Sequence, residues 1–275
     1  MALIKNYLEV SVMAFDITLG QYLPGNSFMH RLDPRTKLLL ATAVMVVLFL
    51  VDGFLGYLWI FGLLLLAIIN GDIPLKSITR GLKPLTFIIL LTVILNIFFT
   101  EGTILWQWGF IKITQEGIFK GILLGIRLIL LILSTTVMTL TTSPLSITDG
   151  LEYLLSPLKK INFPVHELSM MLTIALRFIP TLLEETDKIM KAQMARGADF
   201  ESGNLLKRAQ NMVPLLVPLF VSAFRRADDL ATAMESRCYR GGEGRTRLKE
   251  LQLEKADYIV LGTLLPLLTL VVFLF

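Results

Sequence analysis

Three apolar stretches follow one another between Leu38 and Phe99, and none of them contains a charged residue. They run from Leu38 to Val51, from Phe54 to Ile69 and from Leu85 to Phe99. A fourth, Ile118 to Thr141, carries Arg127 deep inside it, and a fifth, Tyr258 to Phe275, has no charge after Asp257. A helix that crosses a bilayer needs about 20 mostly apolar residues, so the first two stretches are short and extend into their polar flanks. Of the 275 residues, 54% are apolar and 17% charged, against about 45–50% and about 25% in soluble domains. So few charges cannot cover a water-facing surface. The sequence therefore predicts an all-α integral membrane protein with about five transmembrane helices. It excludes a disordered chain and a free-standing soluble enzyme. Cys238 is the only cysteine, so no disulfide forms within the chain. The first 36 residues hold no short apolar run with a small-residue cleavage site, and no signal peptide is expected.

Between Thr142 and Ala256 the composition changes, with 16 Lys/Arg and 14 Asp/Glu, more than half of all charges. Two apolar stretches inside it, 168–179 and 212–224, fall short of spanning length and continue into charged helical patterns. Two readings are open: 168–183 and 211–224 enter the bilayer, or they belong to long amphipathic helices at the membrane's inner face, which is preferred. Two extra spans cancel, so the topology is the same either way. The chain thus divides into a segment 1–37, a membrane region 38–141 with four helices, a helical region 142–256 and a final transmembrane helix 257–275.

Lys and Arg in the loops set the orientation. Lys5, Arg31, Arg35 and Lys37 precede the first span, Asp52-Gly53 carries none, Lys76, Arg80 and Lys83 follow the second, and Thr100–Gly117 has only Lys112. The alternation places the N-terminus and the region 142–256 in the cytoplasm of a cell whose membrane the chain crosses several times, with the C-terminus outside. Bases and acids nearly balance in 142–256, so no nucleic-acid surface is expected.

Pro144, Pro157, Pro164, Pro180, Pro214 and Pro218 punctuate that region, and proline starts or kinks helices. The pattern predicts helices over 147–160, 165–194 and 204–239, the last stopped by Gly241-Gly242-Glu243-Gly244. In the third, Val213, Val217, Phe220, Phe224, Ala227, Ala231, Met234 and Cys238 are spaced alternately by four and three, the period of a helix packing along another. The second carries a weaker series from Leu168 to Ile189, so these two helices are expected to cross or pair. They end alike, in Ala195-Arg196-Gly197 and in Ser236-Arg237-Cys238. An arginine in the last turn followed by a small residue is ordinary C-capping. Small neighbours also uncover the guanidinium, which can enter a partner's groove and fork onto a carboxylate. The residues alone leave both roles open.

The chain has no G-x-x-x-x-G-K-[ST], H-E-x-x-H, G-x-S-x-G or C-x-x-C, so no ATP site, catalytic residue, cofactor or metal site is expected. None of the five apolar stretches contains an acid. A self-sufficient secondary carrier, the alternative reading, usually needs one near the midplane. Arg127 facing lipid would cost about 2.5–3.5 kcal/mol, so a partner is expected for it, such as a carbonyl or the Asn96 amide.

Three features together resemble a known family. Tyr22-Leu23-Pro24-Gly25-Asn26-Ser27 runs into His30-Arg31-Leu32-Asp33-Pro34-Arg35-Thr36-Lys37 just before the first span. The two arginine motifs follow, and the order of parts is four spans, a helical region and a last span. The chain is similar to the transmembrane T components of energy-coupling factor transporters, ABC-type importers of vitamins and metal ions. The second motif departs from Ala-Arg-Gly, having Ser236 and Cys238. The resemblance implies a non-catalytic scaffold and coupling subunit. Two ATP-binding ATPase subunits would bind it, one at each arginine motif, and ATP hydrolysis would take place only in them. Their motion would pass through the two coupling helices to a substrate-binding S component in the same bilayer. Arg31, Asp33, Pro34, Arg35 and Lys37 are the residues of the family's N-terminal motif.

Overall fold

In the computed structural model, residues 22–108, 111–200, 204–242 and 251–274 are described. Residues 1–21, Lys5 among them, and Glu243-Gly244 of the predicted stop lie outside the described residues. Asp33-Pro34-Arg35 starts a helix by simple local rules. After α1, the single turn Phe28–Arg31, α2 runs over Pro34–Leu50 with Asp33 as its N-cap. Asp33 Oδ1 accepts the Arg35 backbone N–H at 2.8 Å, and Pro34 takes the first helical position, where its missing N–H has no helical partner to lose. α3 spans Phe54–Asn70. α4, Leu75–Leu82, a 3-10 turn at Lys83–Leu85 and α5, Thr86–Phe99, form one 25-residue rod.

Where the sequence predicts only a loop, β1 (Ile104–Trp108) and β2 (Ile111–Thr114) form an antiparallel hairpin. Its base is tied by Glu116, which accepts the Thr103 N–H at 2.7 Å. α6, Gln115–Thr141, has 27 residues and reaches about 40 Å at 1.5 Å per residue, more than the roughly 30 Å hydrocarbon core. It packs against α2, α3, α4 and α5 and gives Leu130, Leu133, Val137 and Leu140 to the core, beside Leu48, Tyr57 and Ile60. Its first half presents Gly117, Gly121 and Gly125 to α5. A Cβ on Gly117 would lie 2.8 Å from the Ile97 carbonyl oxygen, and one on Gly121 3.2 Å from that of Val93. Bare backbone on one helix lets the other approach closely, as small residues do in membrane bundles.

α7, Pro144–Leu154, packs on α2. A 3-10 turn, Ser156–Ile161, then breaks what the sequence predicts as one helix to Lys160, with Pro157 at the break. α8 (Val165–Ala195), α9 (Leu205–Ser236) and α10 (Lys255–Leu274) complete the order. The chain forms two compact units. One holds Gly20–Leu154 and Lys249–Phe275, and the other includes Leu155–Leu248. α7, which the change in composition groups with the charged region, belongs to the first.

By length and composition the 75–99 rod, α6, α8 and α10 could each cross a membrane, and α3 is a shorter apolar helix. α8 qualifies with clearly lower hydropathy than the other three, since its apolar residues are concentrated in its first half. α2, the predicted first span, has 17 residues with Arg35 and Lys37 in its first turn and is not among them. Large apolar side chains face outward in the first unit: Phe87 is 72% exposed, Phe99 80% and Phe273 89%. α5 has no buried residue. Such a surface is stable against lipid rather than water. The protein is an all-α, multi-pass membrane protein.

Candidate functional site

α8 and α9 pack as an antiparallel pair. Near one end the Gln193 amide donates to the Pro214 carbonyl at 3.4 Å, and Asn211 Nδ2 donates to the Asp199 carbonyl at 2.6 Å. At mid-length Arg226 Nη2 donates to Glu185 Oε2 at 2.8 Å, and the Ser222 hydroxyl donates to Glu185 Oε1. At the other end the Tyr239 hydroxyl lies 3.4 Å from His166 Nε2. The Ser222 hydroxyl, with Arg226 beside it, holds the Glu185 carboxyl below the usual carboxylate range.

Both arginine motifs close their helices in the same way. Ala198 N–H bonds to the Gln193 carbonyl and Gly197 N–H to that of Met194, each at 3.0 Å. Tyr239 N–H bonds to the Met234 carbonyl at 3.1 Å and Cys238 N–H to that of Glu235 at 2.9 Å. These are paired six-to-one and five-to-two bonds around a left-handed residue, at φ +87° for Gly197 and +56° for Cys238. α9 thus stops at Ser236, short of the predicted Tyr239. Ala195, Arg196 and Gly197 are exposed, as are Ser236, Arg237 and Cys238. Neither guanidinium has a hydrogen bond or ion pair among the described residues. Because the helices are antiparallel, the two arginines lie at opposite ends of the pair, a helix length of 31 residues, or about 45 Å, apart.

The predicted pairing of the helices is present, but not on the predicted face of α9. Val213 is 52% exposed, Val217 57%, Phe220 60% and Phe224 69%. Leu215, Ser222 and Arg226 are the less exposed positions instead. The apolar stripe is real, and nothing among the described residues covers it.

In the N-terminal motif Asp33, Pro34, Arg35 and Lys37 come together at the start of α2, while Arg31 stands apart and exposed. The Asp33 N–H donates to Asp257 Oδ1 at 2.9 Å, and Asp257 Oδ2 accepts the Glu254 N–H at 2.9 Å. Arg35 Nη2 donates to the Leu251 carbonyl at 2.8 Å, and its guanidinium carbon lies 3.7 Å from the centre of the Tyr153 ring. Lys37 Nζ donates to the Thr141 carbonyl at 2.9 Å. Asp257, which sequence reasoning passes over as a helix flank, is buried.

Arg127 finds its partners at the start of α3. Nε donates to the Tyr57 hydroxyl at 2.8 Å, and Nη2 to the Val51 carbonyl and to Asp52 Oδ1, both at 3.0 Å. A carbonyl is thus one partner, as expected. Asn96 is not, because its amide bonds back to Thr92 in its own helix.

Fold and site together define a membrane-embedded helical unit and a second unit of two paired helices with arginine-containing caps, with no cluster of metal-ligating side chains among the described residues. Residues 25–248 match the CbiQ family model, described as cobalt transport protein. The chain is 53% identical over 260 residues to the energy-coupling factor transporter transmembrane protein EcfT of Ruminiclostridium cellulolyticum, covering 94% of this chain and 97% of that one. It is 59% identical over 242 residues to that of Thermosediminibacter oceani (88% and 91% covered) and 50% over 264 residues to that of Bacillus subtilis (95% and 99%). The chain belongs to the CbiQ family, as a transmembrane component of energy-coupling factor transporters.

Proposed function

We propose that this component is the non-catalytic scaffold and coupling subunit of its importer. Two ATPase subunits dock in the cytoplasm, one at Arg196 and one at Arg237, and hydrolyse ATP there. Their relative motion drives α8 and α9, and these move a substrate-binding S component that carries a vitamin or a metal ion across the membrane. The single observation that carries the reading is the pair of exposed arginines, without a partner among the described residues, on matching caps at opposite ends of one antiparallel helix pair. The uncovered stripe Val213, Val217, Phe220 and Phe224 suits an apolar S component. The Lys/Arg bias supports a cytoplasmic N-terminal segment and a cytoplasmic α8–α9 pair.

The test is recovery of the ATPases with the chain, together with substrate uptake, in Arg196→Ala, Arg237→Ala and the double variant, with Arg208→Ala as a surface control. Arginines that only cap would cost about 0.3–1 kcal/mol of local stability and leave assembly intact. Arginines paired with a partner's carboxylate leave it stranded when removed, a loss of about 2–5 kcal/mol, or roughly thirty- to several-thousand-fold in binding. The double variant is expected to release both ATPases and abolish uptake. Normal uptake in it overturns the coupling role.

A further inference from the structure

The chain leaves the membrane unit after Leu154 and returns to it at Lys249. The chain joins α8 and α9 to the first unit at these two junctions, and one side chain holds residues beside both. Arg35 stacks on Tyr153, the penultimate residue before the exit, and donates to the carbonyl of Leu251, just after the return. The arginine is itself held. Its Nε lies 3.7 Å from Asp33 Oδ1, its side chain is 12% exposed, and its backbone N–H is fixed by the same carboxylate. Asp33 is anchored in turn through Asp257, which also fixes Glu254 ahead of α10. Lys37, one turn along, ties α2 to the last carbonyl of α6.

We infer that Arg35 is a clasp that transmits the movement of the α8–α9 unit into the membrane helices. It joins Tyr153 and Leu251 to the start of α2, so displacement of either one pulls on α2 and α10. Guanidinium geometry suits this task. A planar group can lie flat on the tyrosine ring while its edge donates in-plane to a carbonyl, whereas an ammonium offers no flat face. Arg35 is a positioning residue: it touches neither substrate nor nucleotide. The assignment rests on the coupling role proposed above.

The experiment compares substrate transported per ATP hydrolysed, in proteoliposomes holding this chain with its ATPases and an S component. Wild type, Arg35→Ala, Arg35→Lys and Tyr153→Leu are measured side by side. In Arg35→Ala both ATPases stay bound and hydrolysis stays within about twofold, while transport per ATP falls about tenfold, within the range of mutations that alter coupling without touching either site. Arg35→Lys restores it only in part. A purely structural role lowers the amount of complex and leaves the ratio unchanged, and that result overturns the clasp. If Arg35→Ala does not assemble, Tyr153→Leu decides, since this side chain is 55% exposed and its loss opens no core cavity. A fall in the ratio supports the clasp and an unchanged ratio overturns it. If the double variant of Arg196 and Arg237 loses uptake while the Arg35 and Tyr153 variants keep the ratio, only the clasp fails. If that double variant keeps uptake, the coupling role fails and the clasp with it.

Discussion

Asp257 accepts the backbone N–H of Asp33 at 2.9 Å across 224 residues of chain. One carboxylate thereby joins the start of the first long helix to the start of the last. Asp257 is 1% exposed, so removing it leaves the buried N–H of Asp33 and the part-buried N–H of Glu254 without this acceptor. The stranded Asp33 donor alone costs about 1–3 kcal/mol. Asp257→Ala is expected to lower the unfolding midpoint in mild detergent clearly, and Asp257→Asn less, since the amide keeps one acceptor. A wild-type midpoint for Asp257→Ala would refute the assigned role.

The glycines of α6 make a second expectation. A methyl on Gly117 meets the Ile97 backbone oxygen at 2.8 Å, and backbone cannot swing aside. Gly117→Ala therefore destabilises the α5–α6 pair. Gly262 of α10 has nothing within 4 Å of its Cβ position, so Gly262→Ala gains about 0.5–1 kcal/mol from helix propensity alone. Thermal unfolding of the two variants should move in opposite directions.

Glu185 links the pairing of α8 and α9 to pH. Its carboxyl is held below the ordinary range by the Ser222 hydroxyl and Arg226. A group whose folded pKa is depressed contributes stability above its unfolded pKa and loses it as pH falls through the folded one. The stability difference between wild type and Glu185→Gln should stay level from about pH 8 to about pH 5 and close in stronger acid. A difference that instead closed toward alkaline pH would assign the effect to another group.

Cys238 holds φ at +56° with a side chain in place, where Gly197 reaches +87° without one. The left-handed conformation costs an ordinary residue about 1 kcal/mol. Cys238→Gly is expected to slow hydrogen exchange at the end of α9, and Gly197→Ala to speed it at the end of α8. Both leave Arg237 and Arg196 in place, so ATPase recovery should change little.

Much of this was legible in the residues. Apolar stretches located α2, α3, α5, α6 and α10, because hydrophobic length is what a bilayer selects. The glycine after Arg196 and the small residue after Arg237 announced the caps. Other features were present in the sequence but ambiguous. The Val213–Phe224 periodicity shows that a face is apolar and cannot say whether a helix of the same chain covers it. Ile104-Leu105-Trp106-Gln107-Trp108 and Ile111-Lys112-Ile113-Thr114 are rich in strand-forming residues on either side of Gly109-Phe110, a hairpin signal hidden by the expectation of a loop. Gly117, Gly121 and Gly125 spell a small-residue stripe. The partners of Asp257, Arg35 and Arg127 lie far away along the chain, and no local pattern encodes a contact of that kind.

Antiparallel helices with the same cap at each C-terminus have a symmetry that the chain as a whole lacks. An axis through the middle of the pair, near Glu185 and Ser222, exchanges the Arg196 end with the Arg237 end. A single polypeptide thus offers two matching caps related by an approximate dyad, and under the coupling role proposed above they would meet two ATPase subunits with the same chemistry. The glycine at one end and the cysteine at the other mark the point where the two caps differ.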